Sequence, residues 1–369
     1  MSLRSDRSPE TGPSGTLLDS SREFQKGLVF VTGGTGFVGS HVVDRLLADG
    51  HRVRLLVRER RGRAVPERSG ATLVPGDLRD AESLARGLAG AESVCHVAGL
   101  VQAARRRDFF DVNAEGTLRL ASAAARAGIR RFVLVSSLAA AGPVRGSGTR
   151  DESTPEATVS AYGESKARGE ERLKSVFPRE RTVIVRPPIV YGPRDRGLLP
   201  LFRAVARNIM PLLGLGERWY SLIHAEDLAR ALTLALTVPE ASGETLFVTS
   251  RDRLEQRDLL TRIAAAVGRR PVPIRIPIPV LALPAAVLSL AGRVAGRPVM
   301  LSLAKLPEIA ARNWTCSGER AERLLGFKPG VSLDHGLRAT VAWYREHGLL
   351  PRAAGRADSA DVSGARIPL

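Results

Sequence analysis

Tyr162 and Lys166 lie four residues apart in the segment SAYGESKARGE, residues 160–170. The chain contains only four tyrosines, and five of its 55 basic residues are lysines. Residues i and i+4 project from the same face of a helix. A neighbouring ammonium favours the phenolate and lowers the pKa of a tyrosine from its ordinary value of about 10. Lys also offers a more compact and rotatable donor than Arg. With its pKa lowered in this way, Tyr162 is predicted to exchange a proton with an alcohol or ketone.

Two serines are candidates to hold the reacting oxygen. Ser136 and Ser137 end the predicted strand of VLVSSLAAAG. A hydroxyl there could orient the substrate and stabilise developing charge. Alternation along a strand puts the two side chains on opposite faces, so the residues alone leave both open.

The segment VFVTGGTGFVGSHVVDRLLADG, residues 29–50, predicts a strand, a glycine turn and an amphipathic helix. Gly33, Gly36 and Gly39 stand where a dinucleotide-binding turn needs a tight bend, close approach of a pyrophosphate and close packing of helix on strand. The helix N-terminus would offer free N–H groups to the phosphates. The segment therefore predicts a bound dinucleotide.

The end of the second predicted strand discriminates between cofactors. A carboxylate there holds the ribose 2′-hydroxyl of NAD, whereas an Arg suits the 2′-phosphate of NADP. Arg58 occupies the position and is followed by Glu59, so NADP is favoured, with NAD as the alternative. Asp77, after the third strand, is a candidate acceptor for the adenine amino group; the alternative is a helix N-cap for the segment beginning near Asp80.

Short Val-rich runs alternate with helical periodicity in residues 27–192. Unalternating apolar strands suit a parallel sheet covered by helices, so we predict a doubly wound α/β dinucleotide-binding domain there. Residues 193–350 predict a smaller α+β substrate lobe, and 1–26 and 351–369 disordered tails. The predicted strands are 28–33, 52–57, 72–76, 93–99, 131–137 and 182–187, and the predicted helices 37–49, 80–89, 107–127 and 160–176.

Composition excludes some classes of protein. The net charge of +17 could indicate nucleic-acid binding, but the basic residues are scattered and only 5% of residues are aromatic. No nucleic-acid partner is therefore predicted, and no metal site. Two cysteines cannot build a disulfide framework, and the N-terminal segment lacks an apolar core of signal-peptide length, so a cytoplasmic location is expected.

Residues 276–292 carry no charged side chain and are interrupted by three prolines. Spanning a membrane takes about twenty apolar residues, so we expect instead a buried helix of the substrate lobe. A wall of a hydrophobic substrate site and a peripheral membrane contact are the alternatives.

Taken together, these motifs resemble the extended short-chain dehydrogenase/reductase family over residues 27–348. TGGTGFVG resembles its glycine signature, GDL (76–78) and HVAG (96–99) its adenine and cofactor-wall motifs, and YGESK its catalytic pair. The resemblance implies a Rossmann fold and a homodimer formed through helices 107–127 and 160–176. The cofactor-binding residues it implies are Gly33, Thr35, Gly36, Phe37, Val38, Gly39, Arg58, Asp77, Leu78, Ala98, Tyr162, Lys166, Pro187 and Ile189.

The resemblance also implies roles for catalytic residues. Tyr162 becomes the general acid/base, and Lys166 tunes it and holds the ribose. The family's spacing back from Gly142 selects Ser137 over Ser136. Asn113, in NAEGT, would hold a water in a proton relay, with a helix-local hydrogen bond as the alternative.

Three departures narrow the subfamily. Leu138 and Ala139 stand where the family's dehydratases carry Asp-Glu, and Tyr220 stands where its epimerases carry an Arg ahead of His224. Arg58 and the apolar 276–292 segment resemble the 3β-hydroxysteroid dehydrogenase and dihydroflavonol reductase branch. This implies an NAD(P)-dependent oxidoreductase acting on a secondary alcohol or ketone of a small hydrophobic substrate. A nucleotide-sugar epimerase with tightly bound NAD and a non-catalytic NADP-binding regulatory protein are the alternatives.

Overall fold

The computed structural model describes residues 26–58, 70–296, 299 and 301–352. The strands, in chain order, are β1 Leu28–Thr32, β2 Arg52–Val57, β3 Ala71–Pro75, β4 Ser93–His96, β5 Arg131–Val135, β6 Thr182–Arg186, β7 Ile189–Tyr191, β8 Ile209–Leu213, β9 Trp219–His224, β10 Thr245–Phe247, β11 Arg253–Glu255, β12 Val272–Ile276 and β13 Asn313–Trp314. Short 3-10 turns occupy Arg179–Arg181, Pro239–Ala241, Ile278–Leu281 and Leu303–Lys305.

The helices lie between these strands along the chain. They are α1 Phe37–Ala48, α2 Ala81–Leu88, α3 Arg106–Asn113, α4 Glu115–Arg126, α5 Leu138–Ala141, α6 Ala161–Val176, α7 Leu199–Ala206, α8 Ala225–Thr237, α9 Gln256–Val267, α10 Ala282–Ala295, α11 Leu306–Ala310, α12 Glu319–Leu325 and α13 Leu333–Glu346.

Seven parallel strands form the main sheet in the order β10-β6-β5-β4-β1-β2-β3. The chain moves outward from β1 through β2 to β3, and then returns to place β4 on the other side of β1. This reversal opens a crevice at the carboxyl ends of β1 and β4, where doubly wound sheets bind nucleotides. The predicted doubly wound fold is confirmed, and each of the six predicted strands is present.

Buried side chains alternate between the two faces of this sheet. Val29 and Val31 of β1 pack with α1 and α8, whereas Phe30 packs on the opposite face with α2, α4 and α6. All five β1 residues are buried. Covering helices on both faces explain why the strands read as continuous apolar runs in the sequence.

The chain returns to the main sheet after leaving it. β10 pairs with β6, with Leu246 opposite Val185, and α8 packs against α1 in the same apolar cluster. Both elements come after residue 192, so the domain boundary predicted at that residue does not separate the dinucleotide-binding domain from the smaller lobe in space. The physical reason is that α8 supplies the apolar surface that covers one face of the sheet.

The smaller lobe is built from the remaining C-terminal elements. β9 pairs with β7, β11 and β13, and β8 pairs with β12. α7, α9 and α13 enclose its core, which includes Phe202, Ile263 and Val341. The lobe is α+β, as expected.

The apolar helix α10 is exposed. Of its fourteen residues only Ala285 and Gly292 are buried, and Leu283 is 74% exposed. The expectation of a buried substrate-lobe helix is therefore wrong. Ile278–Ala295 has a mean hydropathy of 1.8 over 18 residues, which by length and composition alone could cross a membrane.

Candidate active site

The glycine turn after β1 packs tightly on both sides. Gly33 has a φ of +77°, and a Cβ there would lie 2.5 Å from the main-chain nitrogen of Ala98. A Cβ at Gly39 would lie 2.2 Å from the Gly33 carbonyl oxygen. Only glycine permits this left-handed bend and these close approaches. The turn therefore lies against the segment that follows β4, at the crevice.

Gly36 faces the open side of the same turn. Its N–H donates to the Gly33 carbonyl oxygen over 2.9 Å, and a Cβ there would approach only that oxygen, at 3.2 Å. Gly36 is the N-cap of α1, where no side chain caps the helix and no acidic residue occupies the first turn. Thr35 and Gly36 are exposed, with Phe37 and Val38 half-buried beside them. An uncapped helix end behind an open glycine surface fits a pyrophosphate.

The adenosine side of the crevice carries Arg58 and Asp77. Arg58 is exposed at the carboxyl end of β2, next to the end of β1. Asp77 is half-buried, and its Oδ1 accepts from the Arg79 N–H at 3.0 Å. Asp80 caps α2 by accepting from the Glu82 and Ser83 N–H groups, so the alternative role considered for Asp77 belongs to Asp80. Leu78 is buried beneath α4, and Glu59 lies outside the described residues.

Tyr162 and Ser137 meet at the start of α6. A Cβ at Gly163 would lie 2.2 Å from the Ala139 carbonyl oxygen, so glycine allows α6 to pack directly against α5. The Ser137 side chain lies close enough to the Tyr162 phenol to lower its pKa as a hydrogen-bond partner, and Ser137 Oγ accepts from the Ala139 N–H at 3.1 Å. Ser136 points elsewhere and donates to Glu170. The structure thus brings Ser137, not Ser136, to the tyrosine.

Lys166 lies one helical turn after Tyr162 and reaches the crevice. Its Nζ donates to the Val135 carbonyl oxygen at 2.6 Å, at the end of β5. A Cβ at Gly99 would lie 3.5 Å from this Nζ. Since Gly33 packs on Ala98, the residue before Gly99, the lysine and the glycine turn border the same crevice.

Burial sets the pKa values of both groups. Burial lowers the pKa of Lys166 to about 8, against the opposing charge of Glu170. Burial raises the pKa of Tyr162 to about 12, the Ser137 hydrogen bond opposes this rise, and the Glu308 carboxylate adds to it. The lowered tyrosine pKa expected from the sequence is therefore not found, because desolvation of the phenolate outweighs the opposing interaction with Ser137.

Three further predicted residues line the adjoining wall. Ala98 lies against Gly33 and donates its N–H to Thr32 Oγ1 at 3.4 Å. Pro187 is buried, and its carbonyl oxygen accepts from the Leu138 N–H at 2.8 Å, directly beside Ser137. Ile189 is half-buried at the start of β7. Main-chain bonds thus place this wall next to the serine.

Comparison with known proteins agrees with this geometry. The model of the NAD dependent epimerase/dehydratase family matches residues 29–248, which include the glycine turn, Ser137, Tyr162 and Lys166. The chain belongs to this family. The family membership inferred from the motifs is thereby confirmed.

Individual members of the epimerase/dehydratase family extend the comparison. The ceramide reductase of Caulobacter vibrioides is 35% identical over 328 residues, covering 89% of this chain and 97% of that protein. The 3beta-hydroxysteroid-dehydrogenase/decarboxylase isoform 2 of Arabidopsis thaliana is 27% identical over 84% of this chain and 61% of that protein. The Thermus thermophilus UDP-glucose 4-epimerase, solved in complex with NAD, is 26% identical, with a TM-score of 0.67 over 86% of this chain and 99% of that one.

In this chain, the Asn113 side chain holds the loop after β4. Its Oδ1 accepts from the Leu100 N–H at 2.7 Å, and its Nδ2 donates to the Leu100 carbonyl oxygen and to Ser165 Oγ, both at 2.9 Å. The side-chain bonds are long-range, so the helix-local alternative is wrong. With both amide hydrogens engaged, a relay water would have to donate to the remaining lone pair of Oδ1.

Sequence reasoning missed a buried charge network behind Lys166. Glu170 accepts from Arg186 Nη2 at 2.5 Å and from Nε at 2.9 Å, and Ser136 and Glu156 complete the network. Burial lowers the pKa of Arg186, but the bonds and charges of Glu170 and Glu156 outweigh it and raise the pKa overall. The sequence signal was available: Glu170 follows Lys166 by four residues, on the same helix face.

Local spacing in the sequence also does not predict a chain of hydrogen bonds that includes His96. Thr32 Oγ1 lies 2.6 Å from His96 Nδ1, His96 Nε2 lies 3.0 Å from Thr117 Oγ1, and Thr117 donates to the Asn113 carbonyl oxygen. Burial, with a contribution from Lys166, lowers the pKa of His96 to about 3. This neutral imidazole joins the ends of β1 and β4 to α4.

The segment around α11 covers Tyr162. Lys305 Nζ lies 5.4 Å from the centre of the Tyr162 ring. Glu308 forms an ion pair with Lys305 and accepts a hydrogen bond from Ser160, the N-cap of α6. Lys305 and Glu308 stand about 140 positions after Tyr162 in the chain, so no rule of local spacing connects them to it.

Proposed function

We propose that this protein is an NAD(P)-dependent oxidoreductase that interconverts a secondary alcohol and a ketone on a hydrophobic substrate. The observation that carries the proposal is the meeting of Ser137, Tyr162 and Lys166 beside the glycine-bordered crevice. The 35% identity to a ceramide reductase supports the reaction and a lipid-like substrate.

The cofactor would be held by the glycine turn and the N-terminus of α1. When bound, its nicotinamide supplies or accepts the hydride. We propose NADP in preference to NAD, because Arg58 stands exposed where a 2′-phosphate would lie. The NAD in the Thermus thermophilus epimerase supports the alternative cofactor.

Tyr162, Ser137 and Lys166 would each have a separate role in the proton transfer. With a pKa of about 12, Tyr162 carries its proton at neutral pH and can give it to the oxygen of a ketone. Ser137 Oγ orients that oxygen. Lys166, with a pKa of about 8, is largely an ammonium at neutral pH, so it stabilises the phenolate left behind.

The surroundings favour a hydrophobic substrate over a nucleotide sugar. Arg218, the arginine nearest to the diphosphate-binding position of the epimerases, is buried. Its guanidinium donates to the carbonyl oxygens of Leu213 and Ile309, both at 2.7 Å, and of Ala311 at 2.9 Å. A guanidinium engaged in this way has little capacity left to hold a diphosphate.

Steroid, long-chain β-keto and UDP-sugar substrates should be assayed with NADPH and NADH through nicotinamide absorbance. We expect net turnover on a hydrophobic ketone. Tyr162→Phe should lower kcat by about 100-fold or more, whereas Tyr344→Phe, in the core of the smaller lobe, should retain activity.

Three results would contradict the proposal. Full activity of Tyr162→Phe would exclude the acid/base role. Epimerisation of a UDP-sugar without net cofactor turnover would identify an epimerase. Cofactor binding without turnover of any substrate would favour a regulatory protein.

A further inference from the structure

Helix α10 carries a stripe of large apolar side chains that face away from the protein. Leu283, Val287, Leu290 and Val294 are 74, 60, 66 and 83% exposed. Their spacing of four, three and four residues places them along one side of a helix. We refer to these four residues as the apolar stripe.

The opposite side of α10 explains how it is attached. Its two buried residues, Ala285 and Gly292, are small. Small residues allow close packing on the elements that α10 contacts, the 3-10 turns Ile278–Leu281 and Leu303–Lys305, and the large side chains are left outside. A contiguous exposed apolar surface of this kind marks an interaction site.

The charges around the stripe identify the chemistry of its partner. The sequence contains no Asp or Glu from residue 259 to residue 307 but seven basic residues. Arg262 is paired with Asp334, and Lys305 with Glu308. Arg269, Arg270, Arg275 and Arg293 are exposed. An apolar stripe on a segment whose charged residues are all basic fits a bilayer surface that contains anionic lipid.

The same charges argue against a second copy of this chain. A two-fold dimer through the stripe would place each patch against its own equivalent. The basic residues would then face each other across an apolar contact, with no carboxylate from this segment to compensate.

The connections of α10 favour lying on the membrane over crossing it. Together with the 3-10 turn before it, α10 forms an 18-residue helical segment, or about 27 Å of helix against about 30 Å of hydrocarbon, so length alone does not decide between the two. The chain before it, β12, pairs with β8, and the Leu303 N–H donates to Ser289 Oγ at 2.9 Å on the helix itself. Both ends therefore return to the same body.

We propose that the apolar stripe of α10 inserts into the interfacial layer of an anionic membrane, with the neighbouring arginines on the lipid headgroups. The segment that follows, Leu303–Ala310, packs on α10 and carries Lys305 and Glu308 to Tyr162. Docking would place the candidate active site next to the lipid phase. The binding itself does not depend on the proposed reaction.

Co-sedimentation of the full chain with vesicles tests this surface. We expect binding to phosphatidylcholine vesicles that contain phosphatidylglycerol, and weaker binding to pure phosphatidylcholine. The double variant Leu283→Gln/Leu290→Gln should weaken binding about tenfold or more. Arg269→Gln and Arg270→Gln should each weaken binding to the anionic vesicles about fivefold and leave binding to pure phosphatidylcholine unchanged.

Val101→Gln is the matched control, because Val101 is 61% exposed but lies outside this segment; it should bind as the wild type does. All substituted residues are exposed, so thermal unfolding should confirm that each variant is folded. Absence of vesicle binding, or equal binding by the stripe variant, would overturn the proposal. A dimer in sedimentation equilibrium that the stripe variant abolishes, without vesicle binding, would assign the surface to a second copy.

Discussion

Lys166 donates a 2.6 Å hydrogen bond to the carbonyl oxygen of Val135, the last residue of β5. This bond fixes the ammonium at the carboxyl edge of the sheet, two residues before Ser137. One turn further along α6, Glu170 supports the positive charge. Strand and helix together thus hold a buried cation beside the tyrosine.

Replacing Lys166 should show how much the buried ammonium lowers the stability of the folded protein. The pKa of Lys166 is about 8 in the folded protein, below its ordinary value of 10.5. Between these pH values the unfolded chain retains a proton that the folded protein has released, so wild-type stability should rise with pH across this window. Lys166→Met should therefore be more stable than the wild type below pH 8, with the difference narrowing toward pH 10.5.

Chemical denaturation of both proteins at several pH values provides the measurement. Lys174→Met, at an exposed position on the same helix, is the control and should show no such narrowing. A constant difference between Lys166→Met and the wild type would contradict the lowered pKa. Activity of Lys166→Met should be lost whatever the stability result.

Glu308 and Lys305 should shift the pH dependence of alcohol oxidation in opposite directions. The Glu308 carboxylate raises the pKa of Tyr162, so Glu308→Gln should lower that pKa and move the rising limb of kcat/KM to lower pH. Lys305→Gln removes a cation 5.4 Å from the ring centre and should move the limb to higher pH. Equal shifts in one direction would show that the segment acts by packing alone.

Alanine at two glycines of the turn should separate cofactor binding from folding. A Cβ at Gly36 approaches only the Gly33 carbonyl oxygen, at 3.2 Å, so Gly36→Ala should fold but bind the dinucleotide at least about tenfold more weakly. A Cβ at Gly39 lies 2.2 Å from that oxygen, so Gly39→Ala should lower the free energy of unfolding by about 1–3 kcal/mol.

Isothermal titration with NADP and thermal unfolding distinguish the two effects. Gly148→Ala serves as the control, since a Cβ there would approach nothing closer than 3.6 Å. Unimpaired binding by Gly36→Ala would be incompatible with a pyrophosphate at this turn.

Arg58→Ala should change the choice of cofactor without changing the fold. Loss of a charge-assisted contact with the 2′-phosphate should raise KM for NADPH about tenfold, and KM for NADH should stay nearly constant. Arg52→Ala, at the exposed amino end of the same strand, should affect neither value. If both KM values of Arg58→Ala match the wild type, the preference for NADP has no basis in this residue.

The strands and the core of the site were predictable because they depend on local patterns. Buried parallel strands require continuous apolar runs, and a pyrophosphate turn requires glycines at fixed intervals. Tyr162 and Lys166 share a helix face whatever surrounds the helix. For these elements, the sequence contains the physical cause.

Long-range packing decided the rest. Hydropathy is the same for a helix that is buried and one that is exposed, so only the fold shows that Leu283 and its neighbours on α10 face outward. Asn113 finds its partners in Leu100 and Ser165, which no helix-local rule connects to it. The pKa of Tyr162 depends on burial and on Glu308, which tertiary folding brings from a distant part of the chain. The sequence determined which groups this protein has for proton transfer, and the tertiary structure determined their surroundings and therefore their protonation states.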